Sequence, residues 1–228
     1  ELTVMRRQGG ESRRDVQLAR LFSRQSLGAG EDEILSLIQG TDDLDNLRLA
    51  EWEEADDLRS TLLDVLVDEL ALEDTDDQVG FGESLGGTVS EGNVYFNLGE
   101  TADSAESWQV LTPLRGTPYG TRDLNRLIQK TFRSETHRFA REQKRIPKPV
   151  GTDEIVYGDK VINVQNRKTD NVWPDDNALH YVANGEIGVM VDHFKTRRSN
   201  YSGRPSEVEI EFSSQPGEKY TFYPSDFQ

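Results

Sequence analysis

The spacing of apolar positions changes along the chain, from helical periodicity in its first two thirds to alternation in its last third. Apolar residues that recur every three or four positions predict amphipathic helices. These helices cover residues 11–28, 34–38 and roughly 47–72. From Glu154 to about Tyr223, short alternating runs are separated by Gly, Asn, Asp and Pro, which predicts a compact unit of strands and turns. Pro147 and Pro149 lie at the change and mark a boundary.

Several strands and one long loop are predicted from the same pattern. The strands of the last third are expected at 160–164, 180–182, 187–194, 207–212 and 220–223. Two more are expected at 2–8 and 93–98, and 73–92 predicts a loop because it is rich in Asp, Gly and Ser. About five short strands within some seventy residues suggest a small barrel.

A strand, an irregular loop and a helix are predicted in succession between residues 108 and 129. The aromatic and branched residues of 108–112 predict a buried strand, and the prolines and glycines of 113–120 then force a loop. Thr121 is a candidate cap for the following helix. The apolar face of that helix consists of Leu124, Leu127, Ile128 and Phe132. Because helix N-termini present unpaired amides, the pattern is compatible with an anion-binding turn as well as with a purely structural one.

The formal net charge of −16 belongs to one segment of the chain. Residues 31–77 hold 18 acidic residues against Arg48 and Arg59, and the rest of the chain is neutral overall. The acidic helices are therefore interpreted either as a solvated face or as a surface for a protein partner. Residues 133–148 are the most basic neighbourhood, which suits contact with a phosphate backbone or compensation of the acidic segment.

Composition disfavours several classes of protein. The chain has no cysteine, which excludes disulfides and thiolate metal sites. Its histidines, His137, His180 and His193, are far apart in sequence and show no ligand-like spacing, so no metal site is predicted. No apolar run approaches the roughly twenty residues that span a bilayer, and nothing resembles a signal peptide. We therefore expect a soluble, cytoplasmic protein without membrane association.

Three segments resemble the second RecA-like motor domain of RecD-like and UvrD-like superfamily 1 DNA helicases. The run VLTPLRGTPYGTRDLNRLIQ at 110–129 is similar to the family segment in which a strand is followed by Pro, a basic residue, Gly, Gly-Thr and Leu-Asn. GDKVINVQ at 158–165, followed by NGEIG at 184–188, resembles the SH3-like barrel that RecD-like members carry as an insertion. ELTVMRRQ at 1–8 is similar to the segment that opens the domain, although Arg6 stands where the family has an aromatic residue. The order and spacing of the three segments agree with the family.

The resemblance implies an α/β fold with two parts. Residues 1–150 would form an incomplete RecA-like parallel-sheet domain, in which 31–92 are an acidic helical insertion and loop. Residues 151–223 would form the SH3-like β-barrel, and 224–228 would begin the return to the motor domain. No Gly-x-x-x-x-Gly-Lys-Ser/Thr phosphate loop occurs in the sequence. We therefore expect a fragment of a larger helicase-like protein, truncated before the final motor motifs.

The function that the resemblance implies is ATP-driven translocation on, or unwinding of, DNA. Arg7 would be the catalytic residue at the terminal phosphate, and Arg7 with Gln8 would bind the nucleotide. The implied DNA contacts are Pro113, Arg115, Gly120, Thr121, Asn125, Arg197 and Arg198. ATP and Mg²⁺ are cofactors of the parent protein, which supplies the missing N-terminal motor domain. The fragment alone is expected to bind neither and to be inactive.

Other interpretations of the same residues remain open. Arg7 is also compatible with an ordinary surface arginine, and the whole chain with a non-catalytic, helicase-like module that binds proteins through its acidic helices. The loops of the predicted barrel combine aromatic with basic residues, as do stacking platforms for single-stranded nucleic acid. These residues are Trp173, Tyr181, Phe194 and Tyr201, with Lys195, Arg197, Arg198 and Arg204 interleaved. Aromatic residues of a small barrel are also compatible with its core.

Overall fold

The computed structural model describes residues 14–21, 33–40, 47–195 and 203–227. The chain divides into two compact units, Glu1–Glu54 and Ala55–Gln228. In the first unit, helix α1 (Arg14–Leu21) contacts helix α2 (Glu33–Gly40), whose Ile34 is buried. The helices predicted at 11–28 and 34–38 are therefore confirmed where the structure describes them, and the strand predicted at 2–8 lies outside the described residues.

The second unit begins with an acidic helix that is shorter than predicted. Helix α3 covers Ala55–Glu69, whereas 47–54 form no helix. Asp56 and Asp57 lie in its first turn, where carboxylates favour a helix start. Leu49 and Trp52 remain 50% and 47% exposed, so the residues before the helix bury no apolar stripe.

The loop predicted at 73–92 contains a helix, α4 (Gln78–Ser84), so that prediction was wrong in part. Asp77 begins the helix, since its Oδ1 accepts a hydrogen bond from the Gly80 amide at 2.8 Å. Gly82 concealed the helix in the sequence, because glycine disfavours helix interiors. A Cβ at Gly82 would lie 2.9 Å from Val94 Cγ1, so close packing of the helix on a neighbouring segment requires this glycine.

The helix predicted after the glycine-proline loop is confirmed. Helix α5 covers Thr121–Phe132 and buries Leu124 and Phe132. The chain departs from helical geometry at Arg133, with φ −124° and ψ 11°, and continues as helix α6 (Ser134–Glu142). The break brings the Arg133 side chain into the interior, where the residue is 5% exposed.

The strands form three antiparallel sheets. A hairpin pairs β1 (Thr88–Ser90) with β2 (Asn93–Tyr95). The larger sheet and a short ladder are built from β3 (Lys160–Ile162), β4 (Arg167–Lys168), β5 (Val172–Trp173), β6 (Tyr181–Val182), β7 (Ile187–Lys195), β8 (Pro205–Phe212) and β9 (Lys219–Phe222). The larger sheet has the order β3-β7-β8-β9-β5, and β4 pairs with β6. The strands predicted in this region are therefore confirmed, with shifted ends.

Two finer features implied by the resemblance do not occur among the described strands. Every pairing in the described part of the chain is antiparallel, so these strands form no RecA-like parallel sheet. The five-stranded sheet stays open between β3 and β5, and no closed barrel is formed by the residues described. The structure is thus mixed α/β with antiparallel sheets.

The strand predicted at 108–112 is absent from the structure. Trp108 and Val110 pack against the apolar core beneath them, while Leu111 between them and the loop is 86% exposed. Trp108 is anchored by its indole N–H, which donates to Ser84 O at 3.1 Å, and by an edge contact with Phe81. A strand also needs a neighbouring strand with which to form a ladder, and the described residues provide none.

Strand β7 separates two apolar cores. Val189 and Val191 face the helical core, whereas Met190 faces the sheet core. The buried side chains of the helical core are Leu66, Leu72, Phe81, Leu85, Phe96, Ala105, Phe132, Val189 and Val191. Those of the sheet core are Val150, Val182, Met190, Val208, Ile210, Phe212, Tyr220 and Phe222. Strand β7 therefore contributes side chains to both the helical core and the sheet core.

A buried carboxylate fastens two loops to strand β8. Glu211 is 0% exposed, and its Oε1 accepts hydrogen bonds from the Gly99 and Gly217 amides, each at 2.7 Å. Burial raises the pKa of Glu211 above its ordinary value, and the two amide donors oppose this shift. The side chain thus joins the segment after β2 to the turn between β8 and β9.

We predict that Glu211→Ala destabilises the second unit strongly, because it leaves two amide donors without their acceptor in the interior. The expected loss is about 2–4 kcal/mol in the free energy of unfolding. Glu207→Ala, at an exposed position of the same strand, is the matched control and should change it by less than about 0.5 kcal/mol. Urea unfolding followed by circular dichroism measures both. Equal stability of the two variants would contradict the assigned role.

Candidate nucleic-acid interface

The glycine-proline loop folds back onto the first turn of α5. The Thr121 amide and its Oγ1 both donate to Leu114 O, at 3.0 and 3.2 Å. Thr112 Oγ1 donates to Tyr119 O at 3.0 Å and closes the loop at its other end. Gly120, not Thr121, occupies the N-cap position, so the predicted capping role of Thr121 was wrong. Its hydroxyl holds the loop instead.

Gly120 is buried where the loop meets the helix. A Cβ at this position would lie 2.9 Å from Arg115 C and from Thr117 O, both backbone atoms of the same loop. Such a distance forces the backbone to shift, because ordinary side chains do not approach backbone atoms this closely. Gly120 therefore sets how tightly the loop closes.

The amides at this turn already have partners within the protein. The Gly120 amide donates to Thr117 O at 2.9 Å, and the Tyr119 amide donates to Asp123 Oδ2 at 3.2 Å. The Tyr119 amide and then Arg59, whose Nη2 lies 3.1 Å from Asp123 Oδ2, lower the pKa of Asp123. The negative charge of Asp123 disfavours an external anion beside these loop amides. Basic side chains offer an anion a better partner.

Such side chains lie along one stripe of α5, which we call the basic face and define as Arg122, Arg126 and Lys130. All three are exposed, and their four-residue spacing places successive Cα atoms about 6 Å apart along the helix axis. Arg115 in the loop and Asn125 on the helix are exposed as well. Three of the predicted contacts, Arg115, Thr121 and Asn125, are therefore exposed beside this stripe.

The three cations of the basic face act on their own helix in opposite directions, since Lys130 lies in the last turn, where a cation is favourable. Like charges four residues apart weaken a helix by about 0.2–0.5 kcal/mol per pair. The protein has 42 acidic residues against 26 basic ones, yet within the described parts of the chain no carboxylate forms an ion pair with Arg122, Arg126 or Lys130. The stripe therefore presents three exposed cations without a carboxylate partner among the described residues.

Helix α6 extends the cationic surface but is partly neutralised. Arg138 pairs with Glu135, and Arg141 Nη2 lies 2.5 Å from Glu154 Oε2. Lys144 and Arg145, just beyond the helix, are exposed. Between residues 113 and 148 the chain holds ten basic residues against three acidic ones, the reverse of its overall balance.

A buried ion pair fixes the end of α5 to the sheet. Arg133 Nε donates to Asp159 Oδ1 at 3.0 Å, and Arg133 Nη2 donates to Tyr157 O. The guanidinium also lies 5.8 Å from the centroid of the Phe96 ring. Gln129 adds a bond from its Nε2 to Asp159 Oδ2 at 3.3 Å. The orientation of the basic face relative to the sheet is thus set by polar contacts that water does not reach.

Lys219 lies between two rings of the predicted aromatic platform, those of Trp173 and Phe194. Trp173 and Phe194 are 61% and 41% exposed, and Lys219 Nζ lies 5.3 and 6.0 Å from their ring centroids. Lys219 also pairs with Glu209 and lies 3.9 Å from Asp192. Two carboxylates beside one lysine make this part of the sheet a poorer surface for phosphates than the basic face of α5.

Four predicted site residues lie outside the described residues: Arg7, Gln8, Arg197 and Arg198. Pro113 is exposed and Gly120 is buried in the loop. Arg122, Arg126 and Lys130 were not among the predicted DNA contacts, although their regular four-residue spacing after Thr121 was a visible signal. Lys219 had no such signal, since its contacts come from three other strands.

The described residues hold no cluster of three His, Asp or Glu side chains suited to a metal ion. An open groove of about 500 Å³ lies beside β4. It is lined by Arg167, Lys168, Thr169, Asp170, Asn171 and His180. His180 lies between Asp170 and Asp175, at 3.3 and 3.2 Å, so the groove carries both signs of charge and no concentrated positive surface.

Comparison of the chain with protein-family models, with curated proteins and with solved structures found no match. Within the part of the chain that the structure describes, no helix combines the length and the apolarity that a membrane span requires.

We predict that Gly120→Ala opens the loop and destabilises the second unit by about 1–3 kcal/mol, because the new methyl group meets backbone atoms that cannot rotate away. Gly116→Ala is the matched control in the same loop, since a Cβ there meets nothing within 4 Å. Chemical denaturation gives the free energies of unfolding of both variants. If Gly120→Ala is as stable as Gly116→Ala, the close contact is not a constraint.

Proposed function

We propose that the chain is the nucleic-acid-binding part of an ATP-dependent DNA helicase or translocase of the RecD-like and UvrD-like kind. The observation that carries the proposal is the basic face of α5. It follows directly on the loop whose sequence resembles the DNA-contacting segment of that family, and its cations have no carboxylate partner among the residues described.

The basic face suits a polyanion because cations in a row displace several counterions from a phosphate backbone. Arg115 lies in the loop that closes on the start of the stripe, and Asn125 adds a neutral hydrogen-bonding group beside it. These groups contact phosphates and sugars without reading base edges, so the binding is non-specific in sequence. A single strand of DNA along α5 is the substrate that this arrangement fits.

The finer parts of the proposal concern the parent protein. They are a RecA-like motor domain completed by segments beyond the described sheets, an SH3-like arrangement of β3–β9 that does not close among the described residues, and a cytoplasmic location. The described residues do not form a nucleotide site, since no phosphate-binding loop occurs in the sequence and Arg7 and Gln8 lie outside them. ATP and Mg²⁺ would be bound with the missing N-terminal motor domain.

A second candidate function is a non-catalytic module that binds a protein partner through α3. The exposed acidic residues of this helix are Asp56, Asp57, Asp64, Asp68 and Glu69. Arg59, a basic residue of α3, is directed to Asp56 and Asp123. A basic protein surface is the partner that such a helix fits. This function predicts binding that is insensitive to changes on the basic face of α5.

We predict that Arg122→Gln combined with Arg126→Gln weakens binding to a labelled single-stranded oligonucleotide and lowers its salt dependence. The loss of two phosphate contacts should reduce the slope of log K against log salt by about 1.4, at about 0.7 per contact. Fluorescence anisotropy over a salt series measures both quantities. The starting dissociation constant should be about 10⁻⁴ to 10⁻⁶ M at physiological salt.

The matched control is Lys168→Gln combined with Arg204→Gln, which removes the same charge at two exposed positions away from α5. It should leave the slope nearly unchanged. An equal loss in both double variants would mean that net charge, and not the basic face, determines binding. An unchanged slope in the α5 variant would overturn the proposal.

A further inference from the structure

His137 lies in the middle of α6, in a position that excludes water. The residue is 6% exposed, and its Nε2 makes no hydrogen bond. Its amide donates to Arg133 O at 3.0 Å, as the helix requires. A buried ring nitrogen without a partner is costly, and it becomes far more costly if it carries a charge.

The neighbours of His137 on its own helix are both cationic. Arg133 stands four residues before it and Arg141 four residues after it, so the three side chains lie along one stripe. The carboxylates that face this stripe come from other elements and are already engaged. Asp159 pairs with Arg133, and Glu154 pairs with Arg141.

Among the described residues, the other elements against α6 add no further carboxylate that acts on the imidazole. From α4, the neutral Gln78 bonds the Glu135 amide and the Ser134 hydroxyl. Lys148, beyond the helix, donates to Arg141 O and adds another cation. With a neutral imidazole, this stripe holds two ion pairs and no further charge. An imidazolium would place a third cation between Arg133 and Arg141.

Burial is the main cause that lowers the pKa of His137 below its ordinary value. The charges around the ring act in both directions. Asp159 has the largest of these effects and raises the pKa, Arg141 and Arg133 lower it, and Glu154 raises it.

We propose that His137 makes α6 a pH-sensitive element, which must loosen from the second unit before the imidazole can take up a proton. Acidification would then open α6 selectively, while α5 and the sheet stay folded. The inference does not depend on nucleic-acid binding. If the proposed function is correct, loosening of α6 also displaces Arg138 and Arg141 from the cationic surface.

The pH window follows from the direction of the pKa change. Above about pH 6.5, the ordinary value of an imidazole, His137 is neutral in both the closed and the open helix, and protonation does not affect the opening. Below that value the open helix binds a proton and the closed helix does not. The stability of the closed helix is therefore lost progressively from about pH 6.5 downward, until the lowered pKa of the closed state is reached.

Native-state hydrogen exchange of the whole chain at pH 7.5 and 5.5 tests the inference. After correction for intrinsic exchange rates, the opening of α6 at pH 5.5 should increase by up to about tenfold, as one pH unit below 6.5 allows. Amides of α5 and β8 should show a much smaller change. His137→Phe should abolish the selective response of α6.

Two histidine controls separate this response from others. His180→Gln changes an exposed histidine, and His193→Phe changes the other histidine whose pKa is lowered by burial, on β7. Both variants should retain the response of α6. A response that persists in His137→Phe, or an α6 whose protection does not depend on pH, would overturn the inference.

A measurement on the unaltered protein covers the case in which His137→Phe does not fold. The chain has three histidines, so their imidazole resonances can be assigned and titrated by NMR. In the closed state, the pKa of His137 should lie below the ordinary value of an imidazole. Titration of its native resonance at or above pH 6.5 would likewise overturn the inference.

Discussion

The second unit depends on the buried ion pair between Arg133 and Asp159. The two residues are 5% and 9% exposed, and they join the break between α5 and α6 to the segment that leads into β3. Asp159 also anchors β7 through its backbone, because the Met190 amide donates to Asp159 O at 3.0 Å. One residue thus ties the helices to the strand that both cores share.

The energetic role of such a pair is to select one arrangement of the helices. Bringing two charges out of water costs about as much as their attraction returns, so the pair adds little net stability. Loss of one partner leaves the other charge buried and costs about 3–5 kcal/mol. The neighbouring Gly158 supports the same geometry, since its φ of 81° and the Phe96 ring, 2.0 Å from any Cβ, exclude other residues. The orientation of the basic face of α5 follows from these contacts.

Because β7 contributes to both cores, the helices and the sheet after residue 55 belong to one unit. Residues 55–228 form one compact unit, in which Val189 and Val191 serve the helical core and Met190 the sheet core. The predicted boundary near residue 150 stays a prediction about the parent protein. The two cores share strand β7, and the ion pair lies beside Met190 of that strand.

Local periodicity predicted those elements whose stability comes from neighbouring residues. Helix α5 and strands β7 to β9 carry regular apolar spacing, and the sequence was sufficient for them. Helix α4 was missed because its Gly82, which disfavours a helix, is required by a contact with Val94 that the local sequence does not show. The segment 108–112 was predicted as a strand without regard to a partner.

The contacts that position the candidate site are not visible in the sequence. Arg133 and Asp159 are 26 positions apart, and no spacing relates them. Arg133 was grouped with the basic residues of 133–148, whereas its side chain is buried and paired. The basic face was readable in principle, since four-residue spacing on a helix that begins at Thr121 already places Arg122, Arg126 and Lys130 along one stripe.

A double-mutant cycle across Arg133 and Asp159 tests the central claim most directly. The variants are Arg133→Met, Asp159→Asn and the two combined, and urea unfolding gives the free energy of each. The pair should show a coupling energy of about 1–3 kcal/mol, with the double variant destabilised by less than the sum of the single variants. Additive effects of the two substitutions would contradict the claim that this ion pair holds the helices to the sheet.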